Sequence, residues 1–222
     1  MASKAIKAGT IIAETEPLVT VVDKQNIAKY CSWCFKAHNP KPAAGSAEED
    51  DPDSFVAYVT LKSCSRCHFT HYCGQECQRS HWSTHKAECN ATVLKAMPTG
   101  LRLLLQTMRL KTDKTRKDHA EQRRTFEDKI LEMTSMASNV AIEIEKSKLM
   151  TYAMVVFLKC PDLDINMENV KLILHTLSIL EVNAFGISDK TLLRAGTGLY
   201  YPTNLLNHSC SPNCVAVFRG RT

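Results

Sequence analysis

Four pairs of soft metal ligands are set along one stretch of this 222-residue chain: Cys31-x2-Cys34, Cys64-x2-Cys67, Cys73-x3-Cys77 and His85-x3-Cys89. Thiolate and imidazole are zinc's preferred donors, and eight of them supply two tetrahedral sites. Two intervening residues let a tight turn converge both thiolates on one ion. Three intervening residues put a pair one helical turn apart on one face. Spacing alone leaves two ligand pairings open, sequential or interleaved. Seven of the ten cysteines lie in this block. Disulfides are the competing explanation for that density. The start, Met1-Ala-Ser-Lys4, has no apolar core segment of a secretory leader, so paired cysteines read as metal sites.

Elements must hold these ligands in place. Cys77, His81, His85 and Cys89 fall at successive i, i+4 steps, which predicts a short helix over about 75–89 with all four on one side. His81 is an alternative ligand to His85; otherwise it is a solvent-facing histidine or one that supports the ligands. His68 and His71, beside ligands, read as surface or supporting residues. Trp82 reads as the cap of a small core beside the metals.

This layout resembles the MYND zinc finger from Cys31 to Cys89, most closely in Tyr72-Cys73 and His81-Trp82-x2-His85-Lys86-x2-Cys89. The resemblance implies interleaved ligands: Cys31, Cys34, Cys73 and Cys77 on one zinc, Cys64, Cys67, His85 and Cys89 on the other. One departure is the long gap between Cys34 and Cys64. Its polar, acidic, Pro-rich run from Asn39 to Asp53 reads as a disordered loop.

Composition sets limits. Apolar content of 44% is ordinary for a globular protein, and the length suits one or two domains. A net charge of +5 is only mildly basic, short of a nucleic-acid footprint. Nothing in the chain resembles an apolar run long enough to cross a membrane. Lys7 to Thr10 reads as a turn; Thr10–Glu14 and Leu18–Val22 read as strands divided by Pro17. Residues 91–182 read as mostly helical. Helical spacing is carried by Leu101, Leu104, Leu105 and Met108, by Ile130, Met133, Ala137, Val140 and Ile144, and by Val170, Ile173, Leu174 and Leu177. The charged run Lys111 to Arg124 reads as a solvated face or loop. A further strand is expected at Val215–Phe218.

The segment from Gly196 to Cys214 is turn-rich and full of groups that can bond a ligand. Alone it reads as a loop held by side-chain hydrogen bonds. However, Asn207-His-Ser-Cys-Ser-Pro-Asn213 resembles the N-H-S-C-x-P-N signature of SET-domain lysine methyltransferases. Asn183-Ala-Phe185 and Gly198-Leu-Tyr200 resemble the lead-in to it. With the finger placed after an N-terminal strand pair, the chain from about residue 4 onward resembles the SET-and-MYND (SMYD) family. The fold this implies is α+β: a split SET-domain β-fold with an inserted MYND zinc finger and a helical insert. It divides into residues 1–30 (N-terminal SET strands), 31–89 (finger), 90–182 (helical insert) and 183–222 (SET core segment).

The resemblance also implies a chemistry, transfer of a methyl group from S-adenosylmethionine to a protein lysine. That needs an in-line geometry and a dry channel in which the amine loses its proton. It assigns cofactor contacts to Asn207 and His208, and places Asn183, Asn204 and Leu205 nearby. Asn183 has a simpler reading as a helix C-terminal cap. Asn204 stands where many relatives carry a small Ser. Cys210 is the candidate ligand of a third zinc whose other cysteines would follow Thr222. Cys160 reads as a buried thiol. A family Gly-x-Gly cofactor loop before Lys4 and an active-site tyrosine beyond Thr222 are not in the sequence, so a chain truncated at both ends with weak or no activity is expected. The partner expected first is a protein substrate with a target lysine, such as a histone. A Pro-rich peptide docked near Tyr72 and Trp82 would instead make the chain an adaptor without catalysis. Neither a membrane nor direct nucleic-acid contact is expected. Reduced thiols with bound zinc suit nucleus and cytoplasm.

Overall fold

The computed structural model describes residues 5–38, 60–89, 95–112, 146–160, 163–206 and 209–222. The Asn39–Asp53 run, most of Lys111 to Arg124, the helical pattern from Ile130 to Ile144, and Asn207 and His208 lie outside the described residues.

The architecture is mixed helix and sheet. Strand β1 (Val19–Val22) is followed by the finger, whose β2 (Lys62–Ser63) and β3 (His71–Tyr72) form an antiparallel hairpin leading into helix α1 (Gln75–Glu88). Helices α2 (Thr99–Thr112), α3 (Lys146–Lys159) and α4 (Met167–Asn183) come next, then β4 (Ala184–Ser188) and β5 (Arg194–Leu199). The main sheet is antiparallel in the order β1-β5-β4, with Val19 opposite Leu199 and Val22 opposite Gly196. Chain segments far apart in sequence thus meet in one sheet, as expected of a fold whose insert turns back.

All four β1 residues are buried because both faces of the sheet are covered. Val19 and Val21 join Leu101, Leu104, Leu105, Met108, Val156, Ile173 and Leu177 in a helical core. Val22, on the other face, joins Phe35, Phe69, Tyr72, Ile187 and the finger's cysteines. The sheet is therefore a partition between the helices and the finger. Gly196 sits at the tightest point. A Cβ there would meet the Val21 carbonyl and the Phe35 ring, so only a bare backbone lets the finger's Phe35 rest on the strand.

Helix α2 is buried from Leu101 to Met108, polar Arg102, Gln106 and Thr107 included, not on one stripe alone, as befits a helix with neighbours on several sides. Helix α4 starts at Asn166, whose side chain accepts from Asn169 N–H at 2.8 Å, and runs into β4 without a loop. Asp189 then holds the β4–β5 connection, accepting from the N–H groups of Thr191 and Leu193. Its other oxygen accepts from Tyr30 O–H at 2.7 Å.

Two strand expectations are corrected. The Lys7–Thr10 turn forms, closed by Thr10 N–H to Lys7 O at 3.2 Å, but residues 10–14 are not a strand. Ile11 and Ile12 are exposed and bury no face, so their β-branched run has nothing to pair against. Likewise Val215–Phe218 is not a strand and has no ladder partner among the described residues, and Val215 is 83% exposed.

Candidate functional site

Four local structures deliver the ligands, one of them the end of β3, which Cys73 directly follows. The turn at Ser32–Cys34 carries Cys31 and Cys34, with Phe35 N–H donating to Cys31 O at 3.0 Å and the positive φ of Phe35 ending the turn. A second turn of the same kind carries Cys64 and Cys67, where His68 N–H donates to Cys64 O and His68 takes the positive φ. Helix α1 supplies Cys77, His85 and, at its C-terminal end, Cys89.

These place the donors in two quartets, Cys31–Cys34–Cys73–Cys77 and Cys64–Cys67–His85–Cys89, the donor atoms of each lying within 4.8 Å of one another. Chain order would have paired neighbours; the geometry interleaves them. A zinc tetrahedron with bonds of about 2.3 Å to sulfur and 2.0 Å to nitrogen has edges of about 3.5–3.8 Å. The Sγ atoms of Cys34 and Cys73 are 3.6 Å apart, those of Cys73 and Cys77 3.4 Å, and those of Cys64 and Cys89 3.9 Å. Cys67 Sγ lies 3.6 Å from His85 Nε2. Donor type and edge length both fit zinc, and the two quartets are the zinc-binding sites of the finger. No two cysteines are joined by a disulfide.

Protons divide unevenly within each quartet. Cys34 donates to Cys31, which brings Cys31 down to about 5 against the effect of burial, and the same donation is the main cause that pushes Cys34 up. For Cys67 burial opposes the thiolate, but hydrogen bonds from His85 and Thr70 outweigh it and bring the thiol to about 5. Burial disfavours a charged His85, yet hydrogen bonds to Cys67 and Glu88 outweigh it and raise the imidazole to about 10. A pocket of thiolates and a carboxylate that holds a proton on an imidazole this firmly is one that favours a cation.

Sequence reasoning missed what stands behind His85. Its Nδ1 faces Glu88 Oε1 at 3.4 Å. Glu88 also accepts from Arg102 Nε at 3.2 Å, Arg102 Nη2 at 3.1 Å and Gln106 Nε2 at 3.2 Å. Arg102 Nη1 donates to Val22 O at 3.0 Å. Burial works to raise the Glu88 carboxyl, but the Arg102 charge outweighs it and holds Glu88 at about 2. The signal in the sequence was a charged residue, Arg102, inside an otherwise apolar helical run.

The other histidines separate cleanly. His81 is not solvent-facing: it is buried, bonded to Tyr72 O–H through Nδ1 at 3.0 Å and stacked on His85 at 5.4 Å. Burial pushes it down to about 3, so it is a neutral imidazole beside His85. His68 is exposed and His71 half-buried. Trp82 packs edge-on to His85 but remains 37% exposed, whereas Tyr72 is only 2% exposed and cannot line a groove. Cys160 is buried.

A second cluster lies where α4 meets β4. Asn183 Nδ2 donates to Ile179 O at 2.9 Å, and its Oδ1 accepts from Asn204 Nδ2 at 3.2 Å. The Oδ1 of Asn204 is buried without a hydrogen-bond partner among the described residues. Leu205 is partly exposed beside it, and Cys210 and Cys214 are exposed.

Residues 31–89 match the MYND finger family model. The chain is 26% identical to the histone-lysine N-methyltransferase ASHR1 of Arabidopsis thaliana over 97% of its own length and 41% of that protein's. It is 26% identical to the N-lysine methyltransferase SMYD2 of Homo sapiens and 25% identical to SMYD2-A of Danio rerio, over 75% of this chain and 38% of each relative. Residues 31–89 are thus a MYND finger, and the chain as a whole is similar to these lysine methyltransferases. It spans about two-fifths of the length of these relatives, 41% of the first and 38% of the others.

Proposed function

We propose that the chain forms the zinc-bearing, cofactor-binding portion of a protein-lysine N-methyltransferase, with a protein such as a histone as substrate. The carrying observation is the Asn183–Asn204 pair. Two residues that the family resemblance places near S-adenosylmethionine meet at one sheet edge, and one buried amide oxygen there is left to accept a bond. The names of the related methyltransferases point the same way.

In this reading the β1-β5-β4 sheet is the first part of a split SET fold. Residues 1–30 and 183–222 build the sheet, 31–89 form the finger and 90–182 form the insert. Each quartet holds one zinc, which fixes the finger against the sheet. S-adenosylmethionine, when bound, supplies the methyl group. The chain's own contribution is to orient it through Asn183, Asn204, Leu205, Asn207 and His208. Nucleus and cytoplasm are the proposed locations, and Cys210 is the proposed ligand of a further zinc.

The test is calorimetry of the zinc-loaded chain with S-adenosylmethionine. Saturable binding, weakened at least tenfold by Asn204→Ala and by Asn207→Ala, is expected. A folded, zinc-loaded chain that gives no binding heat at millimolar cofactor, and transfers no labelled methyl group to histones, would end this reading.

Exposed Trp82 favours a second role for the finger, docking a Pro-rich segment of a partner on the outer face of α1. Titration with a Pro-rich peptide should perturb the Trp82 indole resonance selectively. An unchanged spectrum would remove this role and leave the first intact.

A further inference from the structure

The Cys64–Cys67–His85–Cys89 quartet is joined to the main sheet by one continuous buried chain of polar groups. It runs from His85 Nδ1 to Glu88, from Glu88 to Arg102, and from Arg102 Nη1 to the carbonyl of Val22 in β1. Glu88 and Arg102 have fully buried side chains. The other quartet has no such tie among the described residues; its partners are its own thiols and backbone N–H groups, such as Cys73 N–H to Cys31 Sγ.

We propose that Glu88 and Arg102 are positioning residues that fix His85 as a metal ligand and make zinc binding at this one site and docking of the finger on β1 a single linked event. The inference rests on the zinc reading of the quartet. The chemistry is directional. When Glu88 accepts the proton-bearing Nδ1 of His85, the lone pair on Nε2 is left facing the thiolates, the tautomer a metal requires. A carboxylate can do this in a dry interior only if its charge is balanced, and Arg102 balances it through two N–H groups. The third N–H group of Arg102 reaches Val22 O, the last residue of β1, so the orientation of the guanidinium depends on where the strand lies. Gln106, one turn along α2, supplies the remaining donor to Oε1. Linkage then runs both ways: strand docking strengthens the metal site, and the metal steadies the strand.

The experiment uses the full chain loaded with zinc, and in parallel with cobalt, whose visible spectrum distinguishes a three-sulfur, one-nitrogen centre from a four-sulfur centre. Zinc release into a colorimetric chelator is followed for wild type, Glu88→Gln, Arg102→Met and Arg102→Lys. One of the two ions should leave about 10–100-fold faster in Glu88→Gln and Arg102→Met, with Arg102→Lys recovering part of the loss. The cobalt spectrum should assign the fast ion to the three-sulfur centre, while release from the Cys31–Cys34–Cys73–Cys77 site stays at the wild-type rate. Amide hydrogen exchange at Val19–Val22 should quicken when only the fast ion has been stripped. Equal acceleration of both ions, or of neither, would overturn the proposal, as would protection of β1 that is indifferent to metal. A wild-type chain that holds fewer than two ions would instead bring down the zinc reading itself, a result visible before any variant is compared.

Discussion

Arg102 holds Glu88 through two N–H groups, Nε to Oε2 at 3.2 Å and Nη2 to Oε1 at 3.1 Å, and neither side chain reaches water. A pair so placed adds little as a pair, because both charges lost their hydration to form it, but breaking it strands one charge. Arg102→Met should therefore cost about 3–5 kcal/mol in chemical unfolding at saturating zinc. The double variant Glu88→Met with Arg102→Met should be more stable than Arg102→Met alone. A double variant no better than the single one would mean that Glu88 is not charged in the folded protein.

His81 makes stability depend on pH. It is neutral in the folded protein, with its ionisation held down to about 3 by burial, against an ordinary value of 6.5. Between those values the unfolded chain binds a proton that the folded chain refuses. Its contribution is thus complete above about 6.5 and is lost as pH falls from there towards 3. His81→Gln, which cannot titrate, should remove about 1 kcal/mol of the stability lost between pH 6.5 and 5.5. Identical pH slopes for the variant and wild type, with zinc content checked at each pH, would contradict a buried neutral His81.

Two glycines should respond oppositely to a side chain. At Gly196 a methyl group meets the Val21 carbonyl and the Phe35 ring, neither of which can swing aside, so Gly196→Ala should destabilise by about 1–3 kcal/mol. Gly74 has open space around it, an extended backbone and the N-cap position of α1, with no side chain to accept from the helix's first N–H groups. Gly74→Ser should gain a few tenths of a kcal/mol. Thermal melts of the zinc-loaded variants would check both signs.

Chelation should act unevenly. The thiols and imidazole belong to the packing cluster of the finger, while α2, α3 and α4 meet in a separate cluster that contains no metal donor quartet. Removing zinc should make the seven finger cysteines reactive and erase the tertiary signal of Trp33 and Trp82, while far-ultraviolet helicity falls by only about the share of α1. Simultaneous loss of all helical signal would show that the helical cluster cannot stand without the finger.

Much of this could be read in the sequence where one local rule dominated. The ligand spacings and the i, i+4 series from Cys77 to Cys89 anticipated both turns and α1, because metal geometry and helical pitch leave few alternatives. The strand that pairs with β1 was not read: Gly196–Leu199 falls in a segment whose composition reads as a turn-rich loop, and the late strand was expected at Val215–Phe218 instead. The strand expectations failed because a strand needs a neighbour. Thr10–Glu14 and Val215–Phe218 have the composition of strands, but composition does not supply a ladder partner. The role of His81 stayed open because four residues at helical spacing share a face whether that face meets a metal, a tyrosine or water; the structure leaves it buried against Tyr72 and His85. Glu88 and Arg102 lie in adjacent helices that meet only in three dimensions, and their pairing leaves a trace in sequence only as a charge where none should be buried.

The central position of β5 has a consequence for synthesis. Thr20 is paired with Gly198, so β1 leaves the ribosome about 180 residues before the strand that completes it. At about 5–20 residues per second, it waits roughly 10–35 s with its hydrogen-bonding edge open. All eight metal donors of the finger precede that strand, so both quartets can assemble in that interval. Metal supply during translation, more than the stability of the finished molecule, would then govern how much chain escapes aggregation.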